Sequence, residues 1–260
     1  RECRGELGSA PFGSPSFGPD GRLYVLADDS LVCLAPNGMR LWERPHGAMP
    51  SAASVRGPEG GPLLLHSDGR AVLLGQDGQM LWEEAYQSMP VMAAALPDGF
   101  AIAFSDGSIR FFTRRGASFG AMETVSLGSR PIALAAGPDG YAVLAEKGRL
   151  AALSPAGEEL WSRELGTRLA AARLSCFKDR IVVEAGNELS SYGPDGELFR
   201  RLSVKNAGGA PVMASSGTVF AGGNDWILYA YRFERPLEAL PLPVPALLDR
   251  QSILDAGRKA

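Results

Sequence analysis

From its start to about residue 233, the chain reads as short apolar runs separated by turns rich in Gly, Pro, Asp and Asn, with no helical spacing of the apolar positions. One stretch shows the unit. "SAASV", "GPLLLH", "RAVLLG" and "QMLWEE" follow one another between residues 51 and 84, and each has strand length. The second and third runs are joined by Ser67-Asp68-Gly69, the third and fourth by Gln76-Asp77-Gly78. Asp-Gly permits the positive φ that tight hairpins demand. The pattern predicts four antiparallel strands, labelled A to D in chain order.

The unit repeats. Trp42 and Trp82 lie 40 positions apart; a further 40 reaches Met122, 39 more reaches Trp161, and 38 more reaches Phe199. A second series keeps the same step: Pro19-Asp20-Gly21, Pro58-Glu59-Gly60, Pro97-Asp98-Gly99 and Pro138-Asp139-Gly140, then Lys178-Asp179 and Ser216-Gly217. Each precedes a short apolar run. Two markers sharing a period near 40 predict a repeat architecture, and a four-stranded unit of that length is a propeller blade. Strand A is rich in alanine ("SAAS", "VMAAA", "IALAA", "LAAAR", "VMAS"). Alanine has no strand preference, so its presence there is read as a packing requirement where strands converge.

The expected fold is therefore all-β: a six-bladed β-propeller of four-stranded antiparallel blades over residues 1–233. Residues 1–8 read as an isolated strand D that closes the last blade. That blade has A ("APVMAS"), B ("TVFAG") and C ("WILYAYRF") but no D of its own. The chain opens on Arg1, read here as a mature or trimmed start; trimming would make seven or eight blades native. Residues 234–260 read as a proline-rich linker followed by a short helix or a disordered tail.

The ends of the units, Gly78-Gln79-Met80-Leu81-Trp82 and Gly157-Glu158-Glu159-Leu160-Trp161, with Gly38 opening the version at Trp42, resemble the tryptophan-docking repeat of pyrroloquinoline-quinone-like propellers. Met122, Phe199 and Cys3 stand where the marked Trp is expected in three units. The resemblance implies either a quinoprotein dehydrogenase, with quinone and calcium on the axis, or a cofactor-free scaffold. The propeller subunit of the bacterial outer-membrane assembly machinery is of the second kind. It also implies export, hence a periplasmic or otherwise extracytoplasmic bacterial setting.

Chemistry narrows the choice. The Cys-Cys pair common in such dehydrogenases is missing, and Cys3, Cys33 and Cys176 are widely spaced. Asp20, Asp68, Asp77, Asp98, Asp106, Asp139 and Asp195 sit in predicted turns, where Asp caps its own backbone. His46 and His66 lack partners at metal-ligand spacing. No Gly-x-Ser-x-Gly elbow and no phosphate loop occurs. Net charge is −3 with scattered signs, which disfavours nucleic acid. No apolar run approaches the roughly 18 residues of a membrane span. These observations point away from an enzyme, and no cofactor or metal is expected.

The D–A connections read as longer and more varied than the other turns: 43–49, 83–89, 123–130, 162–168 and 201–209. Variable loops on a rigid frame are where recognition concentrates. The expected function is a non-enzymatic scaffold that binds a protein partner on this face through His46, Met49, Tyr86, Met89, Arg130, Arg168 and Trp226. The competing structural reading has Met49 and Met89 plug the channel and Trp226 pack between blades. A small-ligand or glycan sensor using the channel mouth is the alternative function, and a quinone-dependent dehydrogenase the third.

Overall fold

The computed structural model describes residues 10–52, 54–116, 118–166, 169, 172–177, 180–204, 211–214, 218–223 and 227–232. The chain divides into two compact units, residues 1–170 and 171–260. All regular structure among the described residues is β, in six antiparallel sheets whose strands follow chain order.

The first unit holds four sheets. The first contains β1 (Ser16–Phe17), β2 (Leu23–Leu26), β3 (Ser30–Leu34) and β4 (Arg40–Pro45), and the second β5 (Val55–Arg56), β6 (Pro62–Leu65), β7 (Arg70–Leu74) and β8 (Met80–Ala85). The third contains β9 (Pro90–Leu96), β10 (Gly99–Phe104), β11 (Ser108–Arg115) and β12 (Ser118–Ser126). The fourth contains β13 (Pro131–Gly137), β14 (Gly140–Ala145), β15 (Arg149–Leu153) and β16 (Glu159–Glu164). In the second unit β17 (Ala172–Phe177), β18 (Arg180–Ala185), β19 (Glu188–Tyr192) and β20 (Leu198–Ser203) form one sheet. β21 (Val212–Met213), β22 (Thr218–Gly222) and β23 (Leu228–Arg232) form a three-stranded one. The all-β, six-sheet reading holds, with four strands in five of the sheets and three in the sixth among the described residues. The closing strand predicted from residues 1–8, Cys3, and the tail from 234 onward lie outside the described residues.

Burial follows strand position. β6, β10 and β14 are buried along their whole length, whereas β4, β8, β12 and β16 are mostly exposed. The core of the first unit lies in seams between successive sheets. Tyr24, Leu31 and Cys33 pack on Leu64 and Leu74. Leu63 and Leu73 pack with Phe100 and Phe112, and Phe111 with Tyr141 and Val143. In the second unit Val182 and Leu189 pack with Val219 and Tyr231.

The turns take the chemistry expected of them. Asp20, Asp68, Asp77, Asp106 and Asp195 each accept a hydrogen bond from the backbone N–H two residues on. At Asp68 and Asp106 burial pushes the carboxyl pKa up, but bonds from Arg70 and Ser108 outweigh it and hold each below its ordinary value. Asp98 and Asp139 show no such bond among those described.

The tryptophans dock between sheets. Trp42 Nε1 donates to the Gln76 carbonyl at 2.9 Å, and Arg44, two residues along β4, donates to the Gly78 carbonyl at 2.6 Å. Gly78 has φ +81°, and a Cβ there would lie 3.1 Å from the Trp42 ring. The left-handed backbone favours glycine, and a Cβ would crowd the indole face. Trp82 meets Phe100 and Phe112 edge-on, at 5.0 and 5.1 Å.

Two of the marked positions need correction. The ladder pairs Cys33 with Trp42, Leu73 with Trp82 and Ala152 with Trp161, each beside a bulge that leaves Leu41, Leu81 or Leu160 exposed. In the fifth sheet the equivalent pair is Ser191 with Arg200, so Phe199 takes the exposed leucine position. In the third, Arg110 pairs with Thr124 and Phe112 with Ala121; Glu123 falls at the tryptophan position and Met122 at the exposed one. The docking role in the third sheet passes to Phe111 of β11. A Cβ on Gly157, in the β15–β16 turn, would come within 2.6 Å of its ring.

Candidate binding face

Antiparallel connection puts the B–C and D–A links of each sheet at one end and the A–B and C–D turns at the other. The D–A links differ from the sequence reading. Strand D pairs farther than expected, to Pro45, Ala85 and Ser126, which partner Ser30, Arg70 and Ser108. What remains between β4, β8 or β12 and the next strand A is residues 46–49, 86–89 and 127–130, before Pro50, Pro90 and Pro131. Length is constant across these three links; only the side chains vary.

Two backbone bonds repeat along this end. The first residue after strand D donates its N–H to the B–C turn of its own sheet: His46 to Asp29 (3.4 Å), Tyr86 to Gly69 (3.0 Å), Leu127 to Gly107 (2.9 Å) and Leu165 to Gly148 (2.9 Å). Val204 does the same to Asn187 in the second unit. The residue before strand A accepts from the end of strand B: Ala10 from Asp28, Met49 from Ser67, Met89 from Ser105 and Arg130 from Glu146. The sequence-chosen residues therefore fall into two structural positions. His46 and Tyr86 share one; Met49, Met89 and Arg130 share the other.

The first position faces inward. Tyr86 is half-buried, its ring 4.8 Å from Phe104 and covered by the Arg110 guanidinium at 4.9 Å. Burial, with Glu84 adding to it, pushes the Tyr86 phenol up. Both ring nitrogens of His46 lie against carbonyl oxygens, Nδ1 2.8 Å from Ala48 and Nε2 2.9 Å from Ala27. Carbonyls only accept, so a ring N–H is the donor in either contact. His66, 1% exposed, places its own Nδ1 3.1 Å from the same Ala48 oxygen. Burial lowers its pKa, opposed by the Ala48 bond, and its neutral Nδ1–H tautomer fits that bond. Both rings line a cavity of about 220 Å³, which Arg44, Arg70 and Glu83 also line. Arg70 is already held by Asp68 and Glu83.

The second position faces out. Met49 is 61% and Met89 40% exposed, and Arg130 is exposed beside them in sequence register. Neither methionine is withdrawn as a plug. Arg168 and Trp226 lie outside the described residues. Neither Arg110 nor His66 carries a functional signal in the sequence: Arg110 sits inside β11, where alternation reads a polar residue as merely outward, and His66 follows β6, bridging to Pro50. Among the described residues no group of three or more His, Cys, Asp or Glu is placed to hold a metal ion.

No family model matches the sequence, and no curated protein does. Solved structures do. BamB from Moraxella catarrhalis superposes with a TM-score of 0.55 at 13% identity, over 90% of this chain and 86% of that one. The beta-propeller domain of Cps50 (Swd1) from Myceliophteria thermophila gives 0.64 at 14%, over 92% and 88%. BBS1N, solved in complex with ARL6DN, gives 0.65 at 17%, over 84% and 77%. The fold is a β-propeller. The six sheets are its blades, and the face carrying Met49, Met89 and Arg130 is the D–A face of the first four.

Proposed function

We propose that this propeller is a non-enzymatic scaffold that docks a protein partner on its D–A face. One observation carries the reading. The same backbone frame in three successive links holds Met49, Met89 and Arg130 out to solvent, while His46 and Tyr86 at the neighbouring position turn in and fix the links. Exposed methionine offers adaptable apolar contact and arginine a directional cation, a combination favoured at interfaces. A rigid frame with variable side chains at constant length separates support from specificity. The turn carboxylates are engaged with their own backbones, which favours structure over catalysis.

Two similar structures, BBS1N with ARL6DN and a chain of the Mitotic Checkpoint Complex, are of propellers in assemblies, in keeping with this role. Assignment to the cofactor-free branch of the pyrroloquinoline-quinone-like propellers, and to a bacterial cell envelope, rests on the Gly-x-x-Leu-Trp resemblance and on the export habit of that family. Among the described residues no helix is long and apolar enough to cross a membrane.

The test is site-specific photo-crosslinking in a native bacterial envelope preparation, with the crosslinker placed in turn at Met49, Met89 and Met122. A single partner band from Met49 and Met89, lost in an Arg130→Glu background and absent from Met122, is the expected result. Crosslinks from Met122 alone would move the interface to the outer strands and end this proposal.

A further inference from the structure

A second cavity, of about 510 Å³, opens on the first unit at the end opposite the D–A links. It is bounded by residues 55–58, 93–97 and 134–136, from β5, β9 and β13 and from the A–B links that follow β5 and β9. The volume falls within the roughly 300–1,000 Å³ of small-molecule sites. Among the described residues its walls are alanine, leucine, valine, glycine and proline, with Arg56 as the one charged group. The alanine-rich strands were expected to reflect a shortage of room. Ala93 and Ala94 do pack into the core, and with Ala95, Ala135 and Ala136 they also border open volume.

Arg56 sets this cavity apart. It is exposed and has no hydrogen-bond or ion-pair partner among the described residues. At the same end, Arg22 pairs with Asp20 and donates to the Gln76 carbonyl, and Arg114 pairs with Glu59 and lies over Phe119. An unpaired guanidinium beside an apolar hollow offers an anion a directional contact and a tail a dry wall. Among the described residues a sugar would find no other polar side chain to satisfy its hydroxyls, which makes its burial costly.

We infer that this cavity binds a single-chain anionic amphiphile, an aliphatic carboxylate whose head pairs with Arg56 and whose tail lies along the alanine-lined strands. This is independent of the partner-docking role, which uses the other end of the sheets.

Calorimetric titration of the full chain with laurate, dodecanol and butyrate tests it. Laurate binds at one saturable site, and butyrate, with little tail, binds far more weakly. Arg56→Gln weakens laurate by about tenfold, the scale of losing one charge-assisted contact, and leaves dodecanol unchanged. Ala135→Leu narrows the hollow and weakens both. Should Ala135→Leu lower the melting temperature, the Arg56→Gln comparison decides alone. Absence of saturable laurate binding to the unaltered chain, or equal loss of laurate and dodecanol in Arg56→Gln, overturns the inference.

Discussion

The indole N–H of Trp42 in β4 donates to the carbonyl of Gln76, in the β7–β8 turn of the next blade, at 2.9 Å. The same oxygen accepts from Arg22, and Gly78 two residues on lies against the indole face. One turn thus receives a ring, a polar bond and a guanidinium from its neighbour, which explains why the repeat ends in Gly-x-x-Leu-Trp. Gly78 makes the seat for Trp42, and Gly157 makes the corresponding seat for Phe111.

Removing either half loosens the seam. Trp42→Ala is expected to cost about 3 kcal/mol, from lost packing and lost bond together. Trp42→Phe, which keeps a ring but not the N–H, costs about 1 kcal/mol. Gly78→Ala costs about 1–3 kcal/mol, because the left-handed backbone and the indole both oppose a Cβ. Urea denaturation orders the three; a Trp42→Phe loss equal to that of Trp42→Ala would show that the indole packing contributes nothing.

The third blade offers a sharper discrimination. Met122 is exposed on β12, whereas Phe111 is fully buried against Gly157 and lies 5.5 Å from Tyr141. Met122→Ala is expected to change stability by no more than about 0.5 kcal/mol, as a surface substitution does. Phe111→Ala should cost about 3–5 kcal/mol. Comparable losses in the two variants would restore Met122 to the tryptophan position and refute the register.

That register also marks where the sequence stops being legible. The B and C strands could be read directly, since fully apolar runs such as 63–65 and 141–145 are bounded by turn residues, Ser67-Asp68-Gly69 after the first and Pro138-Asp139-Gly140 before the second. Counting a period near 40 could not see the bulge in strand D. The exposed position beside it is also apolar in every blade described, as Leu41, Leu81 and Leu160 show, so Met122 and Phe199 fitted by character while lying one residue out of phase. Link length was misread for a related reason. Glu43 and Ala85 lie in the stretches read as links, yet they continue strand D, whose outer face meets solvent. On the binding face, the exposure of Met49 and Met89 needed coordinates, since a buried plug and an exposed anchor have the same sequence.

Cys33 supplies a chemical check on the first seam. It is fully buried beside Tyr24, and burial pushes its thiol up to about 11, with Tyr24 likewise at about 12. The thiolate is the reactive form. In a Cys3→Ser, Cys176→Ser background, iodoacetamide at pH 8 should leave the native chain unlabelled and modify Cys33 only as urea unfolds it. Labelling of the native chain at a rate near that of the unfolded chain would place Cys33 at the surface.

His66 makes the pH dependence of stability predictable in sign. Its folded pKa is lowered from 6.5, first by burial and with Arg70 and His46 acting in the same direction, against the Ala48 bond and Asp68. As pH falls through 6.5 the unfolded imidazole takes up a proton that the folded one refuses. Protons then favour the unfolded chain, and stability drops until the lowered folded value is passed. The contribution of the neutral ring is therefore complete above pH 6.5 and declines below it, by at most about 1.4 kcal/mol per pH unit. His66→Asn keeps a donor for the Ala48 carbonyl and cannot titrate. Urea unfolding of both chains between pH 8 and pH 5 should show the unaltered chain losing more stability than the variant, with the gap opening below about 6.5. A gap that instead opened on raising the pH would mean that the folded ring is protonated, and the Ala48 oxygen would then be receiving its bond from an imidazolium.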